Sequence, residues 1–191
     1  MKKFTAGGPR LSSWTRTFER YLIPKLVTVV WLLVRDRAVV SLSSRVQISA
    51  NIRFGRGTIV KPFSIIQSSG GNVIFGCECR ISSFNHIATG NSDLIVGDHV
   101  RTGPHVAIIA TSREYSRSDR LISEQGYKDK GIKIGNDVLI GSHAVLLDGC
   151  NIGDGAVIGA GSVVSGNVSP YTIVFGAPAK VVFARRKSKQ Q

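Results

Sequence analysis

A chain of 191 residues has the length of one domain with room for a short appendage. Its 25 lysines and arginines against 12 aspartates and glutamates give a net charge of +13, which suits an anionic partner. Aromatic residues are only 7% and no nucleic-acid-binding motif accompanies the charge, so nucleic acid is not the expected partner. Three cysteines without a disulfide spacing predict reduced thiols in a cytoplasmic protein.

The N-terminal part contains one apolar stretch, YLIPKLVTVVWLLV, at residues 21–34. Pro24 and Lys25 interrupt it, and it is shorter than the roughly 20 residues that a helix needs to cross a bilayer. No small-residue cleavage site follows, so the stretch is not typical of a secretory signal. We favour a helix packed on the domain or on a neighbouring subunit. The alternative is an amphipathic helix on an anionic membrane surface, which would make the protein peripheral at the inner membrane face.

A repeat of six residues is the strongest pattern in the sequence. From position 134 each hexad opens with an aliphatic residue, a glycine often follows, and the fifth place is small or aliphatic. The openers are Ile134, Ile140, Leu146, Ile152, Ile158 and Val164, and the fifth places are Val138, Ala144, Cys150, Ala156, Ser162 and Val168. With interruptions the register extends upstream through Ile48, Phe54, Val60, Ile66, Phe75, Ile81, Ile87, Val96, Thr102 and Ile108.

This period predicts a solenoid of short strands. Openers and fifth places face a narrow interior, and successive coils stack about 4.8 Å apart. Cys79 and Cys150 occupy fifth places, so we expect them to fill the interior rather than bind a metal. The spacing Cys77-x-Cys79 also lacks the second pair that a zinc site of this kind would need.

The stretch IGNDVLIGSHAVLLDGCNIGDGAVIGAGSVVSGNVSPYTIVFGAPAKVV resembles the hexapeptide-repeat acyltransferases, in particular the maltose, galactoside and glycan O-acetyltransferase branch. The resemblance covers roughly residues 48–182. It implies a left-handed parallel β-helix with three hexads per coil, assembled as a homotrimer with acetyl-CoA bound between subunits. The predicted organisation is an N-terminal helical segment (1–45), an all-β solenoid domain (46–182) and a basic tail (183–191).

Three hexads per coil define three faces of the solenoid. Face A opens at Phe75, face B at Ile81 and face C at Ile87. The two insertions fall in the hexads that open at Ile87 and Ile108, so both leave the C–A corner. The longer one, residues 111–131, is too polar to be core and predicts a long protruding loop.

The position of the catalytic base departs from the resembled family. Acyl transfer to a hydroxyl needs a base, and in that family a histidine at the start of the long loop typically serves. Here Arg113 stands at that position, which makes Arg113 and Tyr115 candidate substrate-loop residues. Leu139 and Gly166 also replace a tryptophan and a lysine that are frequent in relatives.

The remaining histidines suggest a different base. His99, His105 and His143 share the fourth, outward place of their hexads, and we expect the last two to be neighbours on face B of adjacent coils. His99 and His143 are expected to be solvated. His86, the sixth and outward residue of its face B hexad, follows Asn85 at a fifth place. In the resembled family the asparagine-bearing hexad faces the histidine loop of a neighbouring subunit, so we predict His86 as the base, with Asn85 orienting the acceptor or the base.

The coenzyme-binding residues carry over from the resemblance. Ser142 and Ala160 match positions that line the pantetheine channel, and Ser165 and Lys180 match the nucleotide end. Arg185 would meet the 3′-phosphate and pyrophosphate as a cation.

These residues predict an acetyl-CoA-dependent acetyltransferase that needs no metal. Its acceptor is a hydroxyl or amine of a sugar, free or linked to a nucleotide or lipid, in surface-glycan synthesis. One alternative is a zinc-dependent, carbonic-anhydrase-like hydratase, whose three histidines would be His105, His143 and either His86 or His99. The other is a catalytically inactive trimeric scaffold in which Arg113 marks a lost site.

Overall fold

A computed structural model of the protein describes residues 25–185, so most of the predicted N-terminal segment and the end of the tail lie outside it. One helix, α1 (Lys25–Asp36), precedes a left-handed β-helix whose three parallel sheets, A, B and C, form the three predicted faces. Sheet A contains β3 (Ile52–Phe54), β6 (Val73–Phe75), β9 (Leu94–Val96), β12 (Ile132–Ile134), β15 (Asn151–Ile152) and β18 (Asn167–Val168). Sheet B contains β1 (Val39–Val40), β4 (Ile59–Val60), β7 (Arg80–Ile81), β10 (Arg101–Thr102), β13 (Leu139–Ile140), β16 (Val157–Ile158), β19 (Thr172–Phe175) and the antiparallel β20 (Lys180–Ala184). Sheet C contains β2 (Arg45–Val46), β5 (Ile65–Ser68), β8 (His86–Thr89), β11 (Ala107–Ala110), β14 (Val145–Leu147) and β17 (Val163–Val164).

The openers and fifth places form the core, as the period predicts. Each opener pairs with the opener of the next coil, for example Ile87 with Ile108 and Ile140 with Ile158. Cys79 and Cys150 are buried at fifth places, which confirms that they fill the interior. Burial raises the pKa of both thiols, that of Cys150 to about 12, so neither is a ready thiolate at neutral pH.

Two positions of the predicted register are wrong. Val46, and not Ile48, pairs with Ile66, because two extra residues lie between β2 and the opener Phe54. Val168 is not a fifth place but the opener of β18, paired with Ile152, because the last C–A corner is two residues shorter than a regular hexad. The predicted division of the chain at 45/46 and 182/183 stays a prediction, although strands extend from Val39 to Ala184.

The long loop leaves the C–A corner between β11 and β12, as predicted. Asp129 closes its base by accepting hydrogen bonds from the Thr111 hydroxyl (3.0 Å) and from the Ser112 and Asn91 N–H groups (3.1 and 2.8 Å). Within the loop the chain folds back on itself at an antiparallel bridge between Arg113 and Tyr127. A 3₁₀ turn (Ile122–Glu124) lies near its tip. We call residues 111–131 the arm.

A buried carboxylate joins α1 to the first coil. The Asp36 side chain is 1% exposed and accepts hydrogen bonds from Arg35 Nε (2.8 Å), Arg53 Nε (3.2 Å) and the Phe54 N–H (3.2 Å). Burial alone would raise the pKa of Asp36, but these hydrogen bonds and the two arginine charges outweigh it and hold the pKa below its ordinary value.

We expect Asp36→Asn to lower the free energy of unfolding by about 2–3 kcal/mol at pH 7, because it removes a buried, hydrogen-bonded charge. Since the folded pKa is lowered, the carboxylate contributes its full stabilisation above the unfolded pKa of about 4, and that stabilisation is lost as the pH falls through the folded pKa. Urea titrations from pH 7 to pH 3 measure this. The gap between native and variant protein should close in acid.

The control is Asp119→Asn, which breaks an ion pair with Arg117 in which both side chains are more than half exposed. It should not change stability measurably. A gap between native protein and Asp36→Asn that stays constant down to pH 3 would contradict the account.

Candidate functional site

The B–C corner carries a ladder of four aromatic rings. Phe63, Phe84, His105 and His143 occupy the fourth place of successive face B hexads, with φ near +60°. Their ring centroids are 5.1, 4.9 and 4.8 Å apart in that order, and neighbouring planes are within 16° of parallel. The prediction that His105 and His143 are neighbours is confirmed. Each ring covers the face of the next, so the ladder presents ring edges and the imidazole nitrogens to solvent.

The ladder ends where the next coil has a glycine. Gly161 follows His143 in the column, with φ +69°, and the space that a side chain would fill there is open. No further ring therefore covers the outer face of the His143 ring within the described coils.

His86 lies beside this corner and is exposed. The sequence register put it at the end of a face B hexad, and the structure makes it the first residue of β8 on sheet C. Its side chain points outward in a row with Ile65 and Ala107, its partners in the adjacent coils. Only Asn85 separates it from Phe84, whose ring stacks on His105, so His86 and the His105 ring belong to the same stretch of the corner in neighbouring coils.

Asn85 points into the solenoid and is 1% exposed. Its Nδ2 donates to the Thr102 hydroxyl (2.5 Å), and its Oδ1 accepts from the Val106 N–H (2.7 Å). These bonds tie the coil that carries His86 to the coil that carries His105. Of the two roles predicted for Asn85, positioning of the neighbouring histidine fits this geometry, because a buried side chain cannot touch an acceptor.

Three of the predicted coenzyme residues lie along the same corner. Ser142 and Ala160 occupy the third place of successive face B hexads, and the gap between their coils is so narrow that a Cβ on Gly141 would lie 2.5 Å from the Ala160 nitrogen. Lys180 begins β20 and pairs with Phe175, at the end of β19 that meets the B–C corner. The turn before Lys180 is held to β17 by the Ala179 N–H, which donates to the Val163 carbonyl at 2.8 Å.

The other two coenzyme residues are placed differently. Ser165 follows β17 and is exposed on sheet C. Arg185 lies at the far end of β20, where its Nη1 donates to Asp137 Oδ2 (3.1 Å) and to the Gly155 carbonyl (2.8 Å). At about 3.3 Å per residue, this puts Arg185 roughly 17 Å from Lys180, at the A–B corner. The structure does not bring Arg185 together with Ser142 and Ala160.

Arg113 and Tyr115 lie on the arm and are exposed. The Arg113 guanidinium lies 4.5 Å from the centre of the Tyr127 ring, a cation–π contact that holds it along the arm. The arm is further braced by Lys128 and Glu114, whose charged groups are 3.8 Å apart. Within one chain, therefore, the arm residues and the histidines at the B–C corner belong to separate corners of the solenoid.

Among residues 25–185, no group of three or more histidine, cysteine, aspartate or glutamate side chains is arranged to hold a metal ion. His105 and His143 are adjacent, but their parallel rings do not converge on one point.

The ring ladder is the feature of the corner that sequence reasoning missed. Phe63 and Phe84, at the fourth places of the two preceding face B hexads, could have predicted it. Exposed aromatic residues at the same place of successive hexads lie one above the other and stack.

Comparison with known proteins identifies relatives of this chain. The bacterial transferase hexapeptide (six repeats) family matches residues 131–166. Galactoside O-acetyltransferase of Escherichia coli strain K12 is 33% identical over 128 residues, which are 67% of this chain and 61% of that protein. The chain therefore spans less than two thirds of that relative's length.

Solved structures share the fold. A mutant of AntD, an N-acyltransferase from Bacillus cereus in complex with dTDP and coenzyme A, has a TM-score of 0.71 at 17% identity, covering 83% of this chain and 89% of that one. A maltose O-acetyltransferase from Clostridium difficile 630 has a TM-score of 0.58 at 24% identity, covering 91% of this chain and 83% of that one.

We expect Asn85→Ala to lower the free energy of unfolding by about 2–3 kcal/mol, because it leaves the buried Val106 N–H and Thr102 hydroxyl without their partner. The control is Ser44→Ala at the same place two coils earlier, whose hydroxyl makes one bond, to the Lys61 carbonyl (2.9 Å). That change should cost about 1 kcal/mol. Equal losses for both variants in urea unfolding would contradict the role given to Asn85.

Proposed function

Because the chain belongs to the bacterial hexapeptide-repeat transferases, we propose that it is an acetyltransferase that moves the acetyl group of acetyl-CoA to a sugar. The observation that carries this proposal is the alignment of an exposed histidine, the Ser142–Ala160 column and the Lys180 turn along one corner of the solenoid. A long, thin ligand such as coenzyme A suits a straight corner that repeats the same backbone geometry in every coil.

The coenzyme would lie along the B–C corner with its nucleotide end at Lys180. The ammonium group of Lys180 is exposed and free to meet a phosphate there. The pantetheine arm would then pass Ala160 and Ser142, beside the open space at Gly161, toward the coils that carry His105 and His86. Arg185, bonded to Asp137 at another corner, is the least supported member of the predicted coenzyme set.

His86 would act as the general base. As the acceptor oxygen attacks the thioester carbonyl carbon, the imidazole takes the proton of the acceptor hydroxyl. The tetrahedral intermediate then expels the thiolate of coenzyme A, which recovers a proton from the imidazolium as the carbon–sulfur bond breaks. No covalent enzyme intermediate is needed. Asn85 would position His86 by fixing the spacing of the two coils from inside.

The site would be completed by a second subunit of a homotrimer. The arm and the B–C corner are separate within one chain, and the arm protrudes from the solenoid. Arg113 and Tyr115 of one subunit would then face the corner of its neighbour and contact the acceptor.

The acceptor would be a hydroxyl or amine of a sugar that is used in a surface glycan. The name of galactoside O-acetyltransferase gives a galactoside hydroxyl as its acceptor. AntD, which shares the fold, is an N-acyltransferase that was crystallised with dTDP. In both reactions the attacking group gives up a proton, which a single base can accept.

For the base, we expect His86→Ala to lower kcat at least about 100-fold in an assay of released coenzyme A thiol, because general-base catalysis contributes about that much or more. The Kd for acetyl-CoA should stay unchanged, and added imidazole should restore part of the activity. The matched control is His99→Ala, an exposed histidine at the A–B corner, which should keep native turnover.

Near-native turnover by His86→Ala would remove the assignment of the base. Thermal stabilisation by acetyl-CoA without turnover on any sugar or amino sugar would favour the inactive scaffold instead. Stoichiometric zinc in the purified protein would favour the hydratase.

We also propose that the protein lies in the cytoplasm and contacts an anionic membrane surface. Helix α1 packs on the domain, as we favoured from the sequence, and buries Leu32 against the first coil, but it leaves an apolar face exposed. This face consists of Leu26, Val27, Val30, Trp31, Leu33 and Val34. No helix within residues 25–185 is long and apolar enough to span a bilayer. Residues 1–25 carry six basic side chains and one acidic one, so the sequence next to the apolar face complements an anionic surface.

We expect the protein to sediment with phosphatidylglycerol-containing vesicles and not with pure phosphatidylcholine vesicles, and to dissociate at high salt. Leu26→Ser/Val30→Ser should abolish sedimentation. The control, Leu121→Ser/Ile122→Ser, changes two exposed apolar residues of the arm and should not. If the helix variant still sediments but no longer forms the native oligomer on gel filtration, the face of α1 contacts a neighbouring subunit instead.

A further inference from the structure

Two arginines lie side by side on the outer surface of sheet B. Arg80 in β7 and Arg101 in β10 are direct register partners on adjacent parallel strands, which are about 4.8 Å apart. Their outward neighbours in the same row are apolar, Ile59 on one side and Leu139 on the other. Both arginines are exposed.

Like charges opposite each other on neighbouring strands destabilise a sheet, so the pair needs an explanation. Neither guanidinium has an acidic group within 4.0 Å among residues 25–185, in contrast to Arg35, Arg53, Arg117 and Arg185.

The acidic side chains at the neighbouring A–B corner do not neutralise the pair. Asp98 accepts a hydrogen bond from the Cys77 N–H (2.7 Å), Asp137 is bonded to Arg185, and the Glu78 carboxylate lies beside Gly57 of the preceding coil. The two arginines therefore form an exposed, positively charged pair on sheet B.

We propose that Arg80 and Arg101 bind the diphosphate group of the sugar acceptor. A guanidinium presents a planar fork of donors that matches a phosphate, and two forks side by side match two linked phosphates better than one carboxylate or one phosphate. This assignment rests on the proposed function and specifies its substrate class. The diphosphate comes from either a nucleotide-linked or a lipid-linked sugar, and the arginines recognise the part that these share.

The location of the pair supports this role. Arg80 precedes His86 by six residues and Arg101 precedes His105 by four, so both lie on the face that adjoins the B–C corner, in the coils that carry these two histidines. A diphosphate held on sheet B would leave its sugar at that corner. Ser142, Ala160 and Lys180, proposed for the coenzyme, lie in later coils, so the two anionic ligands would not compete.

Isothermal titration of the protein with inorganic pyrophosphate tests the site directly. Saturating coenzyme A is present throughout, so that its own diphosphate site is filled. Arg80→Ala and Arg101→Ala should each weaken binding about tenfold, equivalent to about 1.4 kcal/mol, because each removes one charge-assisted contact to the diphosphate. The control is Arg45→Ala, which removes an exposed, unpaired arginine from sheet C and should leave the affinity unchanged.

The source of the diphosphate follows from two further probes. If UDP binds more tightly than pyrophosphate, the acceptor is nucleotide-linked. If geranyl diphosphate binds more tightly than pyrophosphate, the acceptor is lipid-linked. In steady-state kinetics the arginine variants should raise the KM for the diphosphate sugar and leave the KM for acetyl-CoA and the kcat unchanged.

Native pyrophosphate affinity in Arg80→Ala/Arg101→Ala would overturn the proposal. Two results together would also overturn the proposal: the native protein does not bind pyrophosphate, and the double substitution dissociates the oligomer. The arginines would then form a contact between subunits. Failure of the proposed function is a separate result, because it would leave the native protein binding pyrophosphate without turning over any acceptor.

Discussion

The parallel pairing of each coil with the next is the interaction on which this structure depends. One coil has too small an interior to form a core alone, so each is stable only between its neighbours. The pairing links Leu139 N–H to the Ala156 carbonyl (3.0 Å) and Val145 N–H to the Ser162 carbonyl (2.8 Å), and it continues in this way through every sheet. A slip of one residue would turn an opener outward, so the hexads must stay in phase. All extra residues are accordingly confined to the C–A corner.

Strict stacking also explains how a solenoid acquires chemistry. A residue type that recurs at one place of the hexad becomes a column on the surface, with one member per coil. The ring ladder, the Ser142–Ala160 column and the Arg80–Arg101 pair are three such columns. Each is built from residues far apart in sequence, yet the distance between members is fixed by the backbone. In our proposal the Ser142–Ala160 column carries the coenzyme and the Arg80–Arg101 pair anchors the acceptor, while the base His86 lies beside the ring ladder at the same corner.

The sequence predicted most of the fold because the period carries the physical information. Openers, fifth places, buried cysteines and the corner of the insertions follow from which side chains must face inward. Val168 and Ile48 were misplaced because a corner with two residues fewer or more keeps an aliphatic residue near the expected position, so periodicity alone cannot register the change. The site was harder to predict. Asn85 and Arg185 carry the right residue types, but their hydrogen-bond partners depend on side chains in other coils, which no spacing rule encodes.

The central claim is that the B–C corner, with His86 at its side, holds the reacting thioester. A crystal structure of the protein with coenzyme A bound tests this claim most directly. The account predicts a pantetheine arm that runs along this corner past Ala160 and Ser142, with its sulfur closer to His86 than to any other histidine of either subunit. A coenzyme bound at another corner, or a sulfur nearest to a histidine other than His86, would contradict it.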